Sequence, residues 1–194
     1  MSAATPAARA AARAGDQAWN KQTKVNAELF ALTYGALLRQ LLEDFEDSAA
    51  VNAQLDRMGS NIGVRLVEEY LAKVAGDACA DLKETAEAVG RTAFKMFLGI
   101  SADVGRWAAD GRSFSIVLHE NPLSESAELP ADRQDLVYCN VLCGVIRGAL
   151  EAVGLDVSAT YARDTLKGDE VDEIRNSLNS VLEASGFGEE YQTD

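Results

Sequence analysis

The chain of 194 residues has a formal net charge of −13, and 47% of its residues are hydrophobic, which is ample for a packed core. Its acidic balance argues against a nucleic-acid ligand, because phosphate recognition requires clustered Lys and Arg. The most apolar run, residues 136–150, is too short to cross a bilayer and contains Asn140 and Arg147, so no transmembrane helix is predicted.

Residues 1–26 are predicted to be a disordered tail, because they are rich in Ala and Arg and have no regular apolar spacing. A targeting segment is the alternative interpretation, since the stretch has four basic residues against one acid. It has few hydroxyl residues and no cleavage signature, which favours the tail. The rest of the chain then carries 14 basic against 30 acidic residues.

Two long helices are predicted next. The first spans about Ala27 to Phe45, and at ~100° per residue its apolar side chains occupy almost the whole circumference. A single core covers one face only, so another surface must cover the rest. The second spans about Ala49 to Lys73 with Ser48 as its N-cap. Gly59 and Gly63 inside it cost about 1 kcal/mol each relative to Ala, which indicates close approach of another backbone.

A third helix is predicted from about Asp81 to Leu98, begun by a capping-box variant of Asp81 and Glu84 and ended by Gly99. Cys79 lies just before it, where unpaired N–H groups stabilise a thiolate. One face of this helix is apolar and consists of Leu82, Ala86, Val89, Ala93, Met96 and Phe97.

The second half of the chain predicts a sheet and one more helix. A weak strand at 104–108, an Asp-Gly turn at 110–111 and an alternating strand at 113–119 indicate a hairpin. A nearly all-apolar helix at about 135–153 is followed by a half-exposed strand at 155–161. The spacing of 171–182 fits a helix or a strand. We therefore predict an α+β domain at 27–183, with helices on one side of a twisted antiparallel sheet in the order αααββαββ. A flexible acidic tail is expected at 184–194.

Single residues with chemical potential have ordinary structural explanations. Cys139 and Cys143 share a helix face, but with one further Cys and one His they barely provide four metal ligands, so buried structural thiols are favoured. His119 has no nucleophile motif nearby, and this argues against an enzyme. Residues 166–169 are predicted to be a tight turn and not a phosphate loop. Three cysteines without a secretory signal favour reduced thiols in the cytosol.

Taken in order from about Ala27 to Leu182, these segments resemble the subunit 3 family of the trafficking (transport) protein particle complex, TRAPP. The segments that carry the resemblance are Glu28 to Leu37, Val51-Asn52, Gln54-Leu55-Asp56, Met58-Gly59, Asn61 to Leu66, Glu84-Thr85-Ala86, Ala93 to Ile100, Asn121-Pro122-Leu123, Glu128-Leu129-Pro130, Leu142 to Val145, Arg147 to Glu151 and Asp164 to Asp169.

The resemblance implies a non-catalytic core subunit of a complex that tethers vesicles in ER-to-Golgi transport. Sister subunits are the implied partners, in heterodimers with homodimers as the alternative, and the assembled complex is implied to act as a nucleotide-exchange factor for a Rab-type GTPase. The implied location is cytoplasmic, peripheral at the cis-Golgi and endoplasmic reticulum. No metal or other cofactor is expected except a covalent palmitate.

The resemblance also implies site residues. By position, Cys79 is the cysteine that carries the palmitoyl chain, and Ala93 is the small residue lining an internal hydrophobic channel. We expect Ala86, Val89 and Met96 to line the channel with it. The C-terminal tail is implied to reach the GTPase, through Phe187, Glu189 and Glu190. A domain that binds a small hydrophobic ligand or carries a lipid without a covalent bond is the alternative function.

Overall fold

The computed structural model describes residues 5–45, 47–74 and 79–182, which form an N-terminal set of helices followed by a sheet with one helix inserted. Residues 82–98 form three helical segments that follow one another without a break, and together they are called the composite helix. The elements in chain order are α1 (Pro6–Lys21), α2 (Ala27–Phe45), α3 (Ser48–Lys73), α4 (Leu82–Glu87), the π-helical segment (Ala88–Ala93), α5 (Phe94–Leu98), β1 (Asp103–Gly105), β2 (Ser113–Leu118), α6 (Asn140–Ala152), β3 (Leu155–Arg163) and β4 (Asp172–Val181).

The sheet has four antiparallel strands in the order β1-β2-β4-β3. The last strand of the chain, β4, therefore lies inside the sheet, and Ile174 pairs with Ile116 of β2 on one side and with Tyr161 of β3 on the other. Ile116 and Ile174 are completely buried. The element whose spacing fitted a helix or a strand is thus a strand, and the predicted α+β class with an antiparallel sheet is confirmed.

Helices α3 and α6 pack with their backbones in direct contact. A Cβ atom on Gly59 or Gly63 would overlap the carbonyl oxygens of Val141 and Val145, respectively. In return, a Cβ on Gly144 would overlap the carbonyl oxygen of Asp56. The close approach that the sequence predicted for these glycines is confirmed.

Polar bonds fix the register of the same helix pair and shorten α6. The Asn52 side chain accepts a hydrogen bond from the Val137 N–H at 2.9 Å, and the Asn140 side chain donates to the Asn52 carbonyl at 2.8 Å. Residues 135–139 are turns and irregular backbone held by these bonds, so α6 begins at Asn140 and not at the predicted residue 135. Arg147 also pairs with Asp56 at 2.6 Å.

Two helix starts were predicted from capping patterns. At α4, Asp81 accepts from the Glu84 N–H at 2.8 Å and Glu84 accepts from the Ala80 N–H at 2.8 Å, which confirms the reciprocal pattern. At α3 the prediction was wrong by one residue. Asp47 caps the helix through the Ala50 N–H at 3.0 Å, and Ser48 is the first, buried residue of the helix.

The structure differs from the sequence expectation at the N-terminus, where Pro6–Lys21 form helix α1 in place of a disordered tail. Thr5 caps the helix by accepting from the Ala8 N–H at 3.1 Å, and Pro6 occupies its first turn. The buried positions of α1 are small residues, Ala8, Gly15 and Ala18, that let it lie close against the composite helix. Residues 184–194 lie outside the described part of the chain.

Candidate functional site

The four residues expected to line a channel lie on the composite helix and face inward to different degrees. Ala86 is completely buried and Met96 is 1% exposed, whereas Val89 and Ala93 are half-buried. Ala86 belongs to the hydrophobic core, and Val89 packs against it. The predicted apolar face is therefore the inner face of this helix.

The middle of the composite helix is a π-helical segment, a feature that the sequence pattern did not predict. The Phe94 N–H bonds to the Val89 carbonyl, five residues back, so one residue is inserted into the turn that contains Ala93. Such an insertion leaves a helical carbonyl without its usual partner. The Gly90 carbonyl accepts from the Ala102 N–H at 3.0 Å, just ahead of β1.

Thr92 connects the π-helical segment to α1 and α3. It is 1% exposed, and its hydroxyl donates to the Ala11 carbonyl of α1 at 2.8 Å. The Tyr70 side chain of α3 also hydrogen-bonds to Thr92. Burial raises the pKa of Tyr70, the bond to Thr92 lowers it, and the charge of the Cys79 thiolate raises it. Tyr70 thus lies close to both Thr92 and Cys79.

Cys79, the expected acylation site, is exposed and reduced, three residues before the composite helix begins. The capping bonds of Asp81 and Glu84 fix the chain directly after it. Its thiol is therefore accessible to a reagent from solvent while its backbone is tied to the helix start. The preceding residues 75–78 lie outside the described part of the chain.

A pocket of about 220 Å³ lies where the composite helix ends, between α5, the start of α2 and the segment after α1. The Trp19 ring packs against the backbone of Gly99, and the Lys24 ammonium lies 4.6 Å from the centre of that ring. Gln22, Lys24 and Glu69 form a polar rim. The larger apolar side chains that line the pocket are Trp19, Val25, Phe30, Met96, Phe97 and Leu98.

Helix α2 has one buried and one exposed apolar face. Tyr34, Leu38 and Leu41 are buried in the core. On the outer face, Leu29 is 64% exposed and Leu32 is 72% exposed. The sequence predicted that the apolar side chains around this helix would need two separate surfaces to bury them. In the isolated chain the core buries one face of α2, and the other face is exposed. Further exposed side chains on this helix are Phe30, Leu37 and Phe45.

The remaining candidate residues have structural environments. Cys139 and Cys143 are buried, and burial raises the pKa of Cys143 to about 12 and that of Cys139 further still. His119 is exposed and pairs with Asp103 at 3.1 Å. Within residues 5–45, 47–74 and 79–182, no cluster of three or more His, Cys, Asp or Glu side chains is placed to hold a metal ion. In those same ranges no helix is long and apolar enough to span a bilayer.

Comparisons with known proteins agree with the fold and the arrangement of helices. The transport protein particle (TRAPP) component family matches residues 30–177. The chain belongs to this family. It is similar to "Trafficking protein particle complex subunit 3" of Dictyostelium discoideum, with 48% identity over 87% of this chain and 91% of the relative. It is also 50% identical to "Transport protein particle subunit bet3" of Schizosaccharomyces pombe, over 87% of this chain and 92% of the relative.

A solved structure of the family extends the comparison to three dimensions. The trafficking protein particle complex subunit 3 of Naegleria fowleri superposes with a TM-score of 0.79 and 47% identity, over 83% of this chain and all but 1% of that one. That protein is covalently bound to palmitic acid. The resemblance to TRAPP subunit 3 is therefore confirmed, and the range that the family matches, residues 30–177, does not include α1.

Sequence reasoning about the TRAPP family missed three residues near the candidate site, Trp19, Tyr70 and Thr92. A Thr-Pro pair at 5–6, which is a helix-start signal, was available to place Trp19 on a helix. Thr92 lies among small residues of the helix predicted from Asp81 to Leu98, and no sequence signal marked it. Three residues of the expected GTPase-proximal tail, Phe187, Glu189 and Glu190, lie outside the described residues.

Proposed function

We propose that the chain is a non-catalytic core subunit of a vesicle-tethering TRAPP complex in ER-to-Golgi transport. Its outer α2 face packs against small sister subunits, and the assembled complex promotes nucleotide exchange on a Rab-type GTPase. The observation that carries this proposal is the pair of highly exposed leucines, Leu29 and Leu32, on a helix whose opposite face is already in the core. Large apolar side chains left exposed together on one helix are typical of a protein interface.

Burial supports the strength of such an interface. Covering an exposed leucine side chain stabilises an association by about 1.5–3 kcal/mol, so a few of these residues account for a lasting contact. The acidic body, with 30 acids after the N-terminal segment, is repelled by anionic lipid. In this proposal the chain is located on the cytoplasmic side of the cis-Golgi and endoplasmic reticulum membranes because the assembled complex, and not this subunit alone, binds them.

The experiment is co-expression of the full chain with candidate small sister subunits, followed by native mass spectrometry. Leu32→Lys should abolish or weaken heterodimer formation without unfolding the chain. Val181→Lys is the matched control, because Val181 is 68% exposed at the end of β4, away from α2. A chain that remains a monomer with every sister subunit, or that assembles equally well as Leu32→Lys, contradicts the proposal. Assembly only with itself would favour the homodimer.

We further propose that Cys79 carries an acyl chain, held along the inner face of the composite helix beside Ala86, Val89, Ala93 and Met96. The support is a relative with covalently bound palmitic acid and the exposed thiol ahead of that helix. In the reaction, the Cys79 thiolate attacks the carbonyl carbon of an acyl-CoA. A new thioester forms, the bond from that carbon to the CoA sulfur breaks, and the CoA thiolate takes up the proton lost by Cys79. A palmitoyl chain contributes roughly 0.8 kcal/mol for each methylene buried.

Intact-mass analysis of the native protein tests the acylation. We expect an added palmitoyl mass that hydroxylamine removes and that Cys79→Ser abolishes, with Cys143→Ser as a control for general thiol labelling. A lipid that dissociates without hydroxylamine would support the alternative, a reversible carrier of a hydrophobic ligand. A chain that carries neither an adduct nor an extractable lipid would refute both forms of lipid binding and leave the subunit contact standing.

A further inference from the structure

The pocket at the end of the composite helix has two kinds of wall. Met96, Phe97 and Leu98 come from α5, inside the range that matches the TRAPP family. Trp19 and Val25 come from α1 and the segment after it, which precede that range. The N-terminal helix therefore supplies a wall that the matched part of the chain does not provide.

This added wall is held in a fixed position by contacts along the whole of α1. A Cβ atom on Gly15 would lie 2.6 Å from the Arg91 carbonyl oxygen and 3.0 Å from the Lys95 Cβ, so the two helices touch at this point. Thr92 bonds to the Ala11 carbonyl at 2.8 Å. Trp19 follows at the end of the helix, packed against Gly99. Later residues of α1 contact later residues of the composite helix, so the two helices are parallel. Trp19 therefore lies at the C-terminal end of the composite helix.

The pocket also lies where the proposed acyl path ends. Met96 is 1% exposed, belongs to the expected lining and borders the pocket. The composite helix runs from Leu82 to Leu98, a span of roughly 25 Å at about 1.5 Å per residue. An extended palmitoyl chain spans roughly 20 Å, since carbon–carbon bonds of about 1.5 Å meet at tetrahedral angles. Cys79 lies three residues before Leu82, so a palmitoyl chain attached to it ends beside the last turns of this helix, at or just short of Met96, and a stearoyl chain extends further toward the pocket.

We propose that this pocket receives the terminal methylene and methyl groups of the acyl chain on Cys79, and that Trp19 sets the longest chain accepted. The inference rests on the proposed acylation. The ligand is a saturated acyl group of palmitoyl or stearoyl length. A longer chain is blocked by the indole of Trp19, and past it lies the polar rim of Lys24 and Glu69, where further methylene groups gain no apolar partner.

Chain-length competition tests the proposal on the full-length protein. The protein is incubated with equimolar myristoyl-, palmitoyl-, stearoyl- and arachidoyl-CoA, and the adducts are resolved by intact mass. We expect palmitoyl and stearoyl adducts to dominate. Trp19→Ala should raise the arachidoyl fraction about fivefold or more, as relief of overpacking predicts. Gly15→Leu, which displaces α1 without changing a pocket residue, should produce the same shift. Arg13→Ala, on the exposed side of α1, is the control and should leave the distribution unchanged.

A second measurement reports position directly. In a Trp107→Phe background, Trp19 is the only tryptophan of the chain. An acyl-CoA that carries bromine on its terminal carbon should quench Trp19 fluorescence after transfer to Cys79, whereas unlabelled palmitoyl-CoA should not. Cys79→Ser should remove the quenching. Quenching that persists in Cys79→Ser means that a free acyl ligand enters the pocket from solvent, and this overturns the assignment to the covalent chain.

The remaining outcomes separate the two proposals. Normal total adduct with the same length distribution in Trp19→Ala, Gly15→Leu and the parent protein overturns the role of Trp19 and leaves the acylation of Cys79 intact. The absence of any adduct on the parent protein with all four acyl-CoA donors overturns both. Normal adduct without quenching by the brominated chain overturns the placement of the chain end in the pocket.

Discussion

At the scale of single residues, Ala93 is the small side chain beside which the proposed acyl path runs. It is the last residue of the π-helical segment, half-buried, between Val89 and Met96 on the inner face. A methyl group leaves room beside the helix that a larger side chain would fill. Since the proposed chain must pass this point to reach the pocket, the size of this side chain decides occupancy and not reactivity.

We therefore predict that Ala93→Leu blocks acyl insertion while the protein still folds. The added volume should cost at most about 1–3 kcal/mol of unfolding free energy, as measured by urea denaturation. The palmitoyl adduct on intact-mass analysis should fall to a small fraction of the parent value. Ala53→Leu, at an exposed position of α3, is the control for the added leucine. An adduct of undiminished amount would show that no chain passes Ala93.

The two buried thiols, Cys139 and Cys143, make stability depend on pH. Their folded pKa values are raised, that of Cys143 to about 12, while an unfolded thiol titrates near about 8.5. Below that value neither state loses the proton and the stabilising contribution is complete. As pH rises above it, the unfolded state releases protons that the folded state keeps. Stability is therefore lost on the alkaline side.

We predict that the free energy of unfolding falls between pH 9 and pH 10 by about 1.4 kcal/mol for each buried thiol, from proton linkage. Urea denaturation at the two pH values measures the slope. Cys143→Ala should reduce the loss by about one thiol's share, whereas Cys79→Ala, at the exposed thiol, should reduce it less. The same slope in Cys143→Ala and the parent protein would contradict the assignment.

At the scale of elements, the pairing of α3 with α6 is the most demanding contact in the fold. Four glycines let the two backbones meet, Gly59 and Gly63 of α3 and Gly144 and Gly148 of α6. The Asp56 side chain accepts from Arg147 of α6, and the Asn140 side chain of α6 donates to the Asn52 carbonyl. These bonds are short-range and directional, so they require the helices to stay at this separation. A single methyl group between the helices would push them apart and lengthen all of these bonds at once.

Gly144→Ala should therefore destabilise the protein by about 3 kcal/mol or more, because the new methyl would overlap the Asp56 carbonyl, a backbone atom that cannot turn aside. Gly35→Ala in α2 is the matched control. Its Cβ would lie 3.4 Å from the Tyr138 hydroxyl, and the change should be neutral or stabilising by up to about 1 kcal/mol through helix propensity. Thermal and urea denaturation of both variants checks the difference, and equal stabilities would refute it.

Large apolar side chains explain which elements the sequence predicted. Helices α2, α3 and α6 and strand β2 carry them at regular spacing, and Gly59 and Gly63 of α3 indicated where another backbone approaches. Helix α1 was not predicted because its buried residues are Ala8, Gly15 and Ala18. Their small size permits close packing of the helices, but it contributes little to an apolar pattern in the sequence. The apolar spacing of β4 fitted both a helix and a strand. This strand is paired on both edges, so its neighbours β2 and β3 decide which of its side chains are buried.

The candidate site shows the same division between local pattern and tertiary contact. Ala86 and Met96 were placed on the inner face of a helix by spacing alone, and the structure buries both. The pocket was not predictable, because it joins Trp19 to Met96 across an interface between two helices that are far apart in sequence. The bond from Thr92 to Ala11 depends on the π-helical turn, which inserts a residue without a sequence signal.

At the scale of the whole molecule, the charge distribution separates the two ends of the chain. Residues 1–24 hold four basic residues against one acid, while the rest holds 30 acids against 14 basic residues. The last segment, Phe187 to Asp194, has three acids and no basic residue. The resemblance to the family implies that this tail contacts the GTPase. Its negative charge and its two aromatic side chains, Phe187 and Tyr191, suit a contact made after the subunits have assembled.

Deleting Phe187 to Asp194 should lower the nucleotide-exchange rate of the assembled complex about tenfold, a loss of about 1.4 kcal/mol in transition-state stabilisation. Assembly should be unaffected, because the α2 face is intact, and native mass spectrometry confirms this before the rate is measured with a fluorescent nucleotide. A double substitution of Glu189→Gln and Glu190→Gln separates charge from length. If charge carries the contact, this variant loses most of the rate and the loss shrinks as salt concentration rises. If Phe187 carries it, Phe187→Ala alone reproduces the deletion at any salt concentration. An exchange rate unchanged by the deletion would exclude the tail from exchange.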